Sequence, residues 1–236
     1  MLVALAFGYF VFYGRVSDWI VPILTLVLAL VLETFFAQTA GYQWRIGRAL
    51  LGGYNGMTNI PSLNVAGIEL NGFTFPIYFV VIAAVVITFL AMRRLVNSHF
   101  GHVLVAIRED PERTELLGYD VRLYRLIVFV IAAGLAALSG VLYVSWGNYI
   151  TPSAMGLLAE TMPVLWVAIG GRGSLAAVVL STFLLEALKD WLAVYSGEFA
   201  LVVVGFLLLL GMMFAPQGLV VAIAQLGRRA LKRWQE

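Results

Sequence analysis

The stretch GHVLVAIREDPERTELLGYDVRLYR occupies Gly101–Arg125 and is dense in charged side chains. Long apolar runs flank it on both sides, Thr74–Val96 before it and Arg125–Ser145 after it. A helix that crosses a bilayer needs about 20 mostly apolar residues, and both runs reach that length. The stretch is therefore predicted to be a compact polar element that joins two membrane spans and faces water.

The composition of the chain indicates a membrane protein. Hydrophobic residues make up 62% of its 236 residues and charged residues 12%, against about 25% charged residues in a soluble domain. A soluble fold of this size has too little interior to bury so much apolar surface. We therefore expect an all-α, polytopic transmembrane helical bundle, with 1–236 forming a single membrane domain.

Six apolar runs are candidate spans. They are Trp19–Gln38, Thr74–Val96, Arg125–Ser145, Ala154–Gly170, Leu175–Ala193 and Phe199–Ala215. A seventh run, Leu2–Tyr13, is too short to cross the membrane alone. The region 154–193 has two interpretations: two full spans joined by the sequence GGRGS, or a re-entrant hairpin with GGRGS at its bottom.

The positions of Lys and Arg predict the orientation, because cytoplasmic loops carry an excess of both residues. With an outside N-terminus and alternating spans, most of the 15 Lys and Arg residues lie inside. The segment of about 97–125 and the basic tail of about 226–236 then face the cytoplasm, where the tail can lie on anionic lipid. The glycine-rich segment 39–73 then faces outward, and we expect short helices or hairpins in it.

The sequence Asp110-Pro111-Glu112 has the chemistry of a helix start. Asp110 can cap free N–H groups, Pro111 suits the first helical position, and Glu112 suits the positive end of the helix dipole. Gly118 can end the helix in a left-handed conformation. These signals predict a helix of about two turns over Pro111–Leu117.

A short apolar-sided turn is expected before this helix, with Val103, Ile107 and the pair Arg108 and Glu109. Two interpretations of the whole segment remain open at this point. A short, stiff element with charges of both signs could dock into a groove on a soluble partner. Alternatively, the segment is an ordinary loop whose charges only fix the orientation of the spans, since charge-rich loops are common.

The central sequence AIREDPERTELLG (106–118) resembles the cytoplasmic coupling segment of ABC importer permeases of the branched-chain amino acid family. The resemblance continues in order through AAGLAALSGVLY (132–143), VAIGGRGSL (167–175) and FAPQGL (214–219). It is closer to the second of the two paired permeases, and the urea and short-amide branch is also similar. Family members carry further hydrophobic segments before the region that matches Trp19 onward.

This resemblance implies an ABC importer permease fold in a multi-pass protein of the bacterial inner membrane. It implies a path formed with a second permease, alike or different, together with cytoplasmic ABC ATPases and an extracytoplasmic substrate-binding protein. The residues implied to couple the chain to the ATPase are Ile107, Arg108, Glu109, Asp110, Pro111, Glu112 and Gly118. The chain has no G-x-x-x-x-G-K-[ST] motif, so we expect ATP on the partner subunits and no cofactor here.

Five further residues are candidates for the translocation path: Glu160, Gly170, Gly171, Gly173 and Glu186. Charged residues in apolar spans tend to face the bundle interior, although Glu186 can also pair with Lys189 one turn later. The glycines form either the joint of a broken helix at a transport site or a plain packing turn.

Other functions have less support in the sequence. The two His residues, His99 and His102, lack the carboxylate or thiol neighbours of a metal site, and no nucleophile–base pattern indicates an enzyme. The net charge of +2 gives no reason to expect nucleic acid. The alternatives that remain are a urea or short-amide permease and a structural membrane subunit without a transport path.

Overall fold

The computed structural model describes residues 1–14, 16–47, 49–58, 60–65, 67–171 and 173–194, together with 202, 203, 205, 206, 209, 210, 213 and 218. Arg172, the basic tail of about 226–236 and most of the predicted span Phe199–Ala215 lie outside these residues. The chain divides into two compact units, Met1–Gly156 and Leu157–Glu236. The single membrane domain stays a prediction.

Helices dominate both units, as the sequence predicts. The first unit contains α1 (Leu2–Tyr13), α2 (Val21–Gln38), α3 (Phe75–Val96), α4 (His99–Glu109), α5 (Pro111–Leu116) and α6 (Val121–Gly147), and the second contains α7 (Leu157–Gly170) and α8 (Leu175–Ala193). Short strands lie between α2 and α3 and after α6: β1 (Arg45–Ile46), β2 (Ala49–Leu50), β3 (Met57–Thr58), β4 (Leu63–Val65), β5 (Ile68–Leu70) and β6 (Tyr149–Ile150). Single 3-10 turns occupy Gly53–Asn55 and Pro152–Met155.

Three of the described helices, α2, α3 and α6, are long and apolar enough to cross a membrane. Almost none of the residues in their apolar windows is buried within the chain, so this surface is left for lipid or for other subunits. The helical membrane bundle is confirmed. The third of these spans begins at Val121, four residues before the predicted start at Arg125, because Asp120 caps it.

The predicted span Ala154–Gly170 is too long. A 3-10 turn takes up Pro152–Met155, and α7 begins only at Leu157. Its 14 residues cover about 21 Å at 1.5 Å per residue, against about 30 Å for the hydrocarbon core. Of the two interpretations of 154–193, the short α7 fits the re-entrant hairpin better, whereas α8 has the predicted bounds Leu175–Ala193.

Helix α1 packs along α6 through aromatic side chains. The rings of Phe7 and Phe12 lie 6.1 Å and 5.9 Å from the ring of Phe129, centroid to centroid. A Cβ on Gly8 would lie 2.8 Å from Leu126 Cδ1 and 3.0 Å from Phe129 Cδ1, so a side chain at residue 8 would require these side chains of α6 to shift. The predicted bounds of this first run, Leu2–Tyr13, are those of α1.

The segment 39–73 forms hairpins, as predicted. Strand β1 pairs with β2, and β4 pairs with β5, both antiparallel. Strand β3 pairs with β6, which follows α6, so that Met57 faces Ile150. The Tyr149 hydroxyl adds a hydrogen bond of 2.8 Å to the carbonyl oxygen of Asn55. The segment 39–73 is therefore hydrogen-bonded to the end of α6 as well as within its own hairpins.

Candidate functional site

The predicted coupling segment forms a small packed unit, which we call the 97–125 element. It consists of α4, α5 and the first turn of α6. Val103 and Ile107 on α4 and Val121 on α6 form its buried core, with Leu104, Tyr119 and Tyr124 packed against them. The expected short turn before α5 is in fact α4, a helix of 11 residues. The i, i+4 spacing of Val103 and Ile107 places both on one face of that helix.

The start of α4 is held tightly against the end of α3. A Cβ on Gly101 would lie 2.0 Å from the carbonyl oxygen of Val96, so only glycine permits this close turn. The Ser98 hydroxyl donates to the carbonyl oxygen of Leu95 at 2.6 Å. The 97–125 element thus follows α3 directly, through a close turn and without a flexible linker.

Helix α5 has the caps that its sequence predicts, and it ends one residue earlier than expected. Asp110 Oδ1 accepts a hydrogen bond of 3.0 Å from the backbone N–H of Arg113. Gly118 has φ +90°, and its N–H donates to the carbonyl oxygen of Glu115, while the N–H of Tyr119 donates to that of Thr114. This pair of bonds is the Schellman arrangement of a helix C-terminus, so both ends of α5 are defined.

Aromatic side chains tie α4 to the start of α6. The Tyr119 hydroxyl lies 3.1 Å from His99 Nε2, and the Phe100 ring stacks on Tyr124 at 5.0 Å between centroids. Tyr119 and Tyr124 meet edge to face at 6.0 Å. The first two contacts join residues 20 or more positions apart in sequence and hold α4 against the start of α6.

The polar residues predicted for coupling lie on the surface of this element. Arg108 Nη2 contacts Glu109 Oε1 at 2.6 Å with both side chains exposed, and Arg113 Nε contacts Asp110 Oδ2 at 2.9 Å. Ile107 is only 6% exposed, so it supports the element from within and does not offer a contact to a partner.

Two residues outside the predicted coupling set stand out at the end of α5. Leu116 and Leu117 are 88% and 75% exposed, and we call them the apolar tip. Burying a leucine side chain is favourable by about 1.5–3 kcal/mol. A partner that covers both leucines would therefore gain binding free energy from them. In the sequence they can be recognised as a pair of leucines directly before the residue that stops α5. They do not belong to the apolar face of α4 that carries Val103 and Ile107.

The candidate path residues are spread over the second unit. Glu160 lies half-buried in the first turn of α7, about 15 Å along the helix from Gly170. Glu186 forms the expected ion pair with Lys189 on α8. Both carboxylates are about ten residues along their helices from the glycine turn, so neither lies at the turn itself.

Close packing accounts for Gly170, and a positive φ accounts for Gly171. A Cβ on Gly170 would lie 2.5 Å from Ser181 Oγ and 2.7 Å from Val178 Cα, and a Cβ on Gly218 would lie 2.3 Å from the Cα of Gly171. Gly171 also has φ +99°, whereas a Cβ on Gly173 would meet no atom within 4 Å. The packing interpretation of this turn gains support, and its role in a path stays a prediction.

Known proteins match this chain over most of its length. The family described as "Branched-chain amino acid transport system / permease component" matches residues 1–212. The permease protein LivM of the high-affinity branched-chain amino acid transport system of Escherichia coli (strain K12) is 26% identical over 192 residues, which cover 72% of this chain and 45% of that protein. No solved structure matches.

Two further relatives have related names. The probable branched-chain amino acid transport permease protein LivM of Methanocaldococcus jannaschii is 28% identical over 185 residues, 72% of this chain and 53% of that protein. The permease protein BraD of the Pseudomonas aeruginosa high-affinity system is 33% identical over 139 residues, 57% of this chain and 45% of that protein. The chain thus spans about half the length of the curated relatives that it matches. By the family match, it belongs to the permease components of branched-chain amino acid transport systems.

Proposed function

We propose that this chain is the membrane-spanning permease subunit of an ABC importer for branched-chain amino acids, driven through the 97–125 element by a cytoplasmic ATPase. The observation that carries the proposal is the construction of this element. It packs around its own buried core, is capped at both ends of α5, carries charges of both signs on its surface, and exposes the apolar tip at the end of α5. A partner groove can cover the tip, while the charged rim of the element sets the register of docking.

The element is built to pass motion to the spans. Helix α3 runs into α4 through the close contact at Gly101, and α6 begins directly at the Asp120 cap, whose Oδ1 accepts from the N–H groups of Arg122 and Leu123 at 3.1 Å each. A displacement of α5 by the ATPase would therefore move the ends of two candidate spans together. Only a connected rigid element can transmit such a motion.

The exposed surfaces favour a multi-subunit complex in a membrane. A Cβ on Gly140 would meet no atom within 4 Å, and the neighbouring residues of α6 are exposed, so this face is open to a second permease, alike or different. Small residues permit close helix packing in lipid. Within the proposal, a substrate-binding protein delivers the solute outside, ATP is bound and hydrolysed on the partner subunits, and the chain itself is a multi-pass subunit of the bacterial inner membrane without an enzymatic step.

Uptake into proteoliposomes tests the proposal. The chain would be reconstituted with a second permease, ATPase subunits and the binding protein, and radiolabelled leucine and urea would be compared with ATP and without it. We expect ATP-dependent uptake of leucine and none of urea. Uptake of urea alone would indicate the urea branch, and uptake of neither solute would favour a structural subunit.

A further inference from the structure

Exposed aromatic side chains lie where α3 begins and where α6 ends. Phe73, in the turn before α3, is 95% exposed, and Phe75 and Tyr78 in the first turn of that helix are exposed as well. Tyr143 and Trp146 are exposed in the last turns of α6. We call these five residues the aromatic band. An exposed apolar surface of this kind marks a place that a partner or a membrane covers.

The two halves of the aromatic band lie side by side. A Cβ on Gly72 would lie 2.3 Å from the carbonyl oxygen of Trp146, so the turn before α3 packs directly on the end of α6. The Tyr78 hydroxyl donates to the carbonyl oxygen of Gly72 at 3.4 Å. The rings of Tyr143 and Trp146 lie 6.4 Å apart, centroid to centroid. The band therefore links the ends of two candidate spans on one side of the membrane.

Two separate lengths place the aromatic band at a boundary of the hydrocarbon core. Along α3, Phe75 and Arg93 are about 27 Å apart at 1.5 Å per residue, and no Lys, Arg, Asp or Glu lies between them. Along α6, Arg125 and Trp146 are about 32 Å apart, again with no such residue between them. The hydrocarbon core is about 30 Å thick. Arginines at one boundary therefore put the band at the other boundary along both helices.

The turn that carries Phe73 satisfies its backbone polar groups internally, as irregular backbone beside lipid must. Asn71 Oδ1 accepts from the N–H of Phe73 at 3.1 Å, and the Thr74 hydroxyl donates to the carbonyl oxygen of Glu69 at 3.0 Å. The same hydroxyl accepts from the N–H of Asn71 at 3.2 Å. The turn thus holds its own polar groups and leaves the ring of Phe73 exposed.

We propose that the aromatic band anchors the ends of α3 and α6 in the lipid headgroup layer, on the side of the membrane opposite the 97–125 element. Tyr and Trp favour this layer because their rings are apolar while their O–H and N–H groups stay in contact with water. The band continues the surfaces of two spans whose apolar windows are almost unburied, and its level agrees along both helices. These features favour lipid over a protein partner as the cover of the band.

Spin labels measure the depth of the aromatic band directly. The chain contains no cysteine, so Phe73→Cys and Tyr143→Cys each accept one nitroxide label in the full chain, inserted into vesicles of phosphatidylethanolamine and phosphatidylglycerol. Collisions of the label with oxygen, which concentrates in hydrocarbon, are compared with collisions with a water-soluble nickel complex. The matched control is Glu69→Cys, at an exposed position of β5 in the same outer segment. We expect the oxygen-to-nickel ratio to be severalfold higher at residue 73 than at residue 69.

The label at residue 143 adds the second helix to the test. Tyr143 precedes Trp146 by about 4.5 Å along α6, so its ratio should be higher than that at residue 73. Equal ratios at residues 73 and 69 would place the turn in water and overturn the inference. Low collision rates with both reagents at residue 73 would show that protein covers the band, which would also overturn it. None of these results involves leucine uptake, so the inference and the proposed function can fail independently.

Discussion

Gly118 shows how much depends on one residue, because it ends α5 with φ +90°. A side chain in the left-handed region costs about 1–2 kcal/mol, and a β-branched side chain more than most. We therefore expect Gly118→Val to loosen the end of α5 and to lower leucine uptake per ATP hydrolysed in the reconstituted complex. Gly118→Asn is the matched control, since asparagine tolerates this conformation better. Full uptake by the valine variant would show that the stop of α5 does not matter for coupling.

Gly170 is constrained by a neighbour and not by its own backbone angles. A Cβ there would lie 2.5 Å from Ser181 Oγ, and Ser181 is 1% exposed and cannot swing away. We expect Gly170→Ala to destabilise the α7–α8 hairpin by about 1–3 kcal/mol, measured as a lower midpoint of thermal unfolding in detergent. Gly173→Ala, which adds a methyl group in open space, should have little effect, and an equal loss in both variants would contradict this packing.

These two glycines also show what a sequence can predict at the scale of a residue. The role of Gly118 follows from its place about two turns after Asp110-Pro111, because capping signals are local. The constraint on Gly170 comes from a residue 11 positions later, across a turn whose closeness no local pattern reveals.

At the scale of elements, the contact of Asp18 with Arg125 joins the linker after α1 to the first turns of α6. Arg125 Nη1 and Nη2 donate to Asp18 Oδ1 and Oδ2 at 2.6 Å and 2.7 Å. The Asp18 side chain is 66% exposed and that of Arg125 28%, so solvent weakens the pair, and we expect it to contribute about 0.5–1 kcal/mol.

An exchange of these charges tests the joint. Asp18→Arg and Arg125→Asp should each lower the thermal midpoint and the coupling of ATP hydrolysis to uptake, because α1 loses a tie to the helix that carries the 97–125 element. The double variant restores opposite charges and should recover part of both losses. A double variant no better than the poorer single variant would exclude this pair as a functional joint.

Element boundaries were predicted well where caps or composition decide them and less well elsewhere. Leu2–Tyr13 and Leu175–Ala193 have the predicted bounds. Apolar composition predicts a span from Arg125, whereas the Asp120 cap starts α6 four residues earlier, where the residues are still partly polar. Helix α4 was missed because Gly101 and its polar neighbours weaken helix propensity, and packing of Val103 and Ile107 against Val121 overcomes that weakness.

At the scale of the whole molecule, composition is sufficient to predict a helical membrane bundle, and ordered sequence blocks are sufficient to indicate the family. The partner surfaces were harder to predict. The apolar tip of Leu116 and Leu117 is exposed, and exposure depends on three-dimensional packing that the local sequence does not reveal. Within the proposed function, this exposed surface is the part of the element that the ATPase would cover.

A cross-linking experiment tests most directly whether the 97–125 element docks on the ATPase. The chain contains no cysteine, so Leu116→Cys introduces a unique thiol at the apolar tip, and Tyr54→Cys, at a position 81% exposed in the segment 39–73, is the matched control. In the assembled complex, with a short thiol-reactive cross-linker carrying a second, amine-reactive end, we predict that the residue 116 variant links to the ATPase subunit and the residue 54 variant does not. Labelling of residue 116 by a membrane-impermeant maleimide from outside the cell, without any link to the ATPase, would contradict the account.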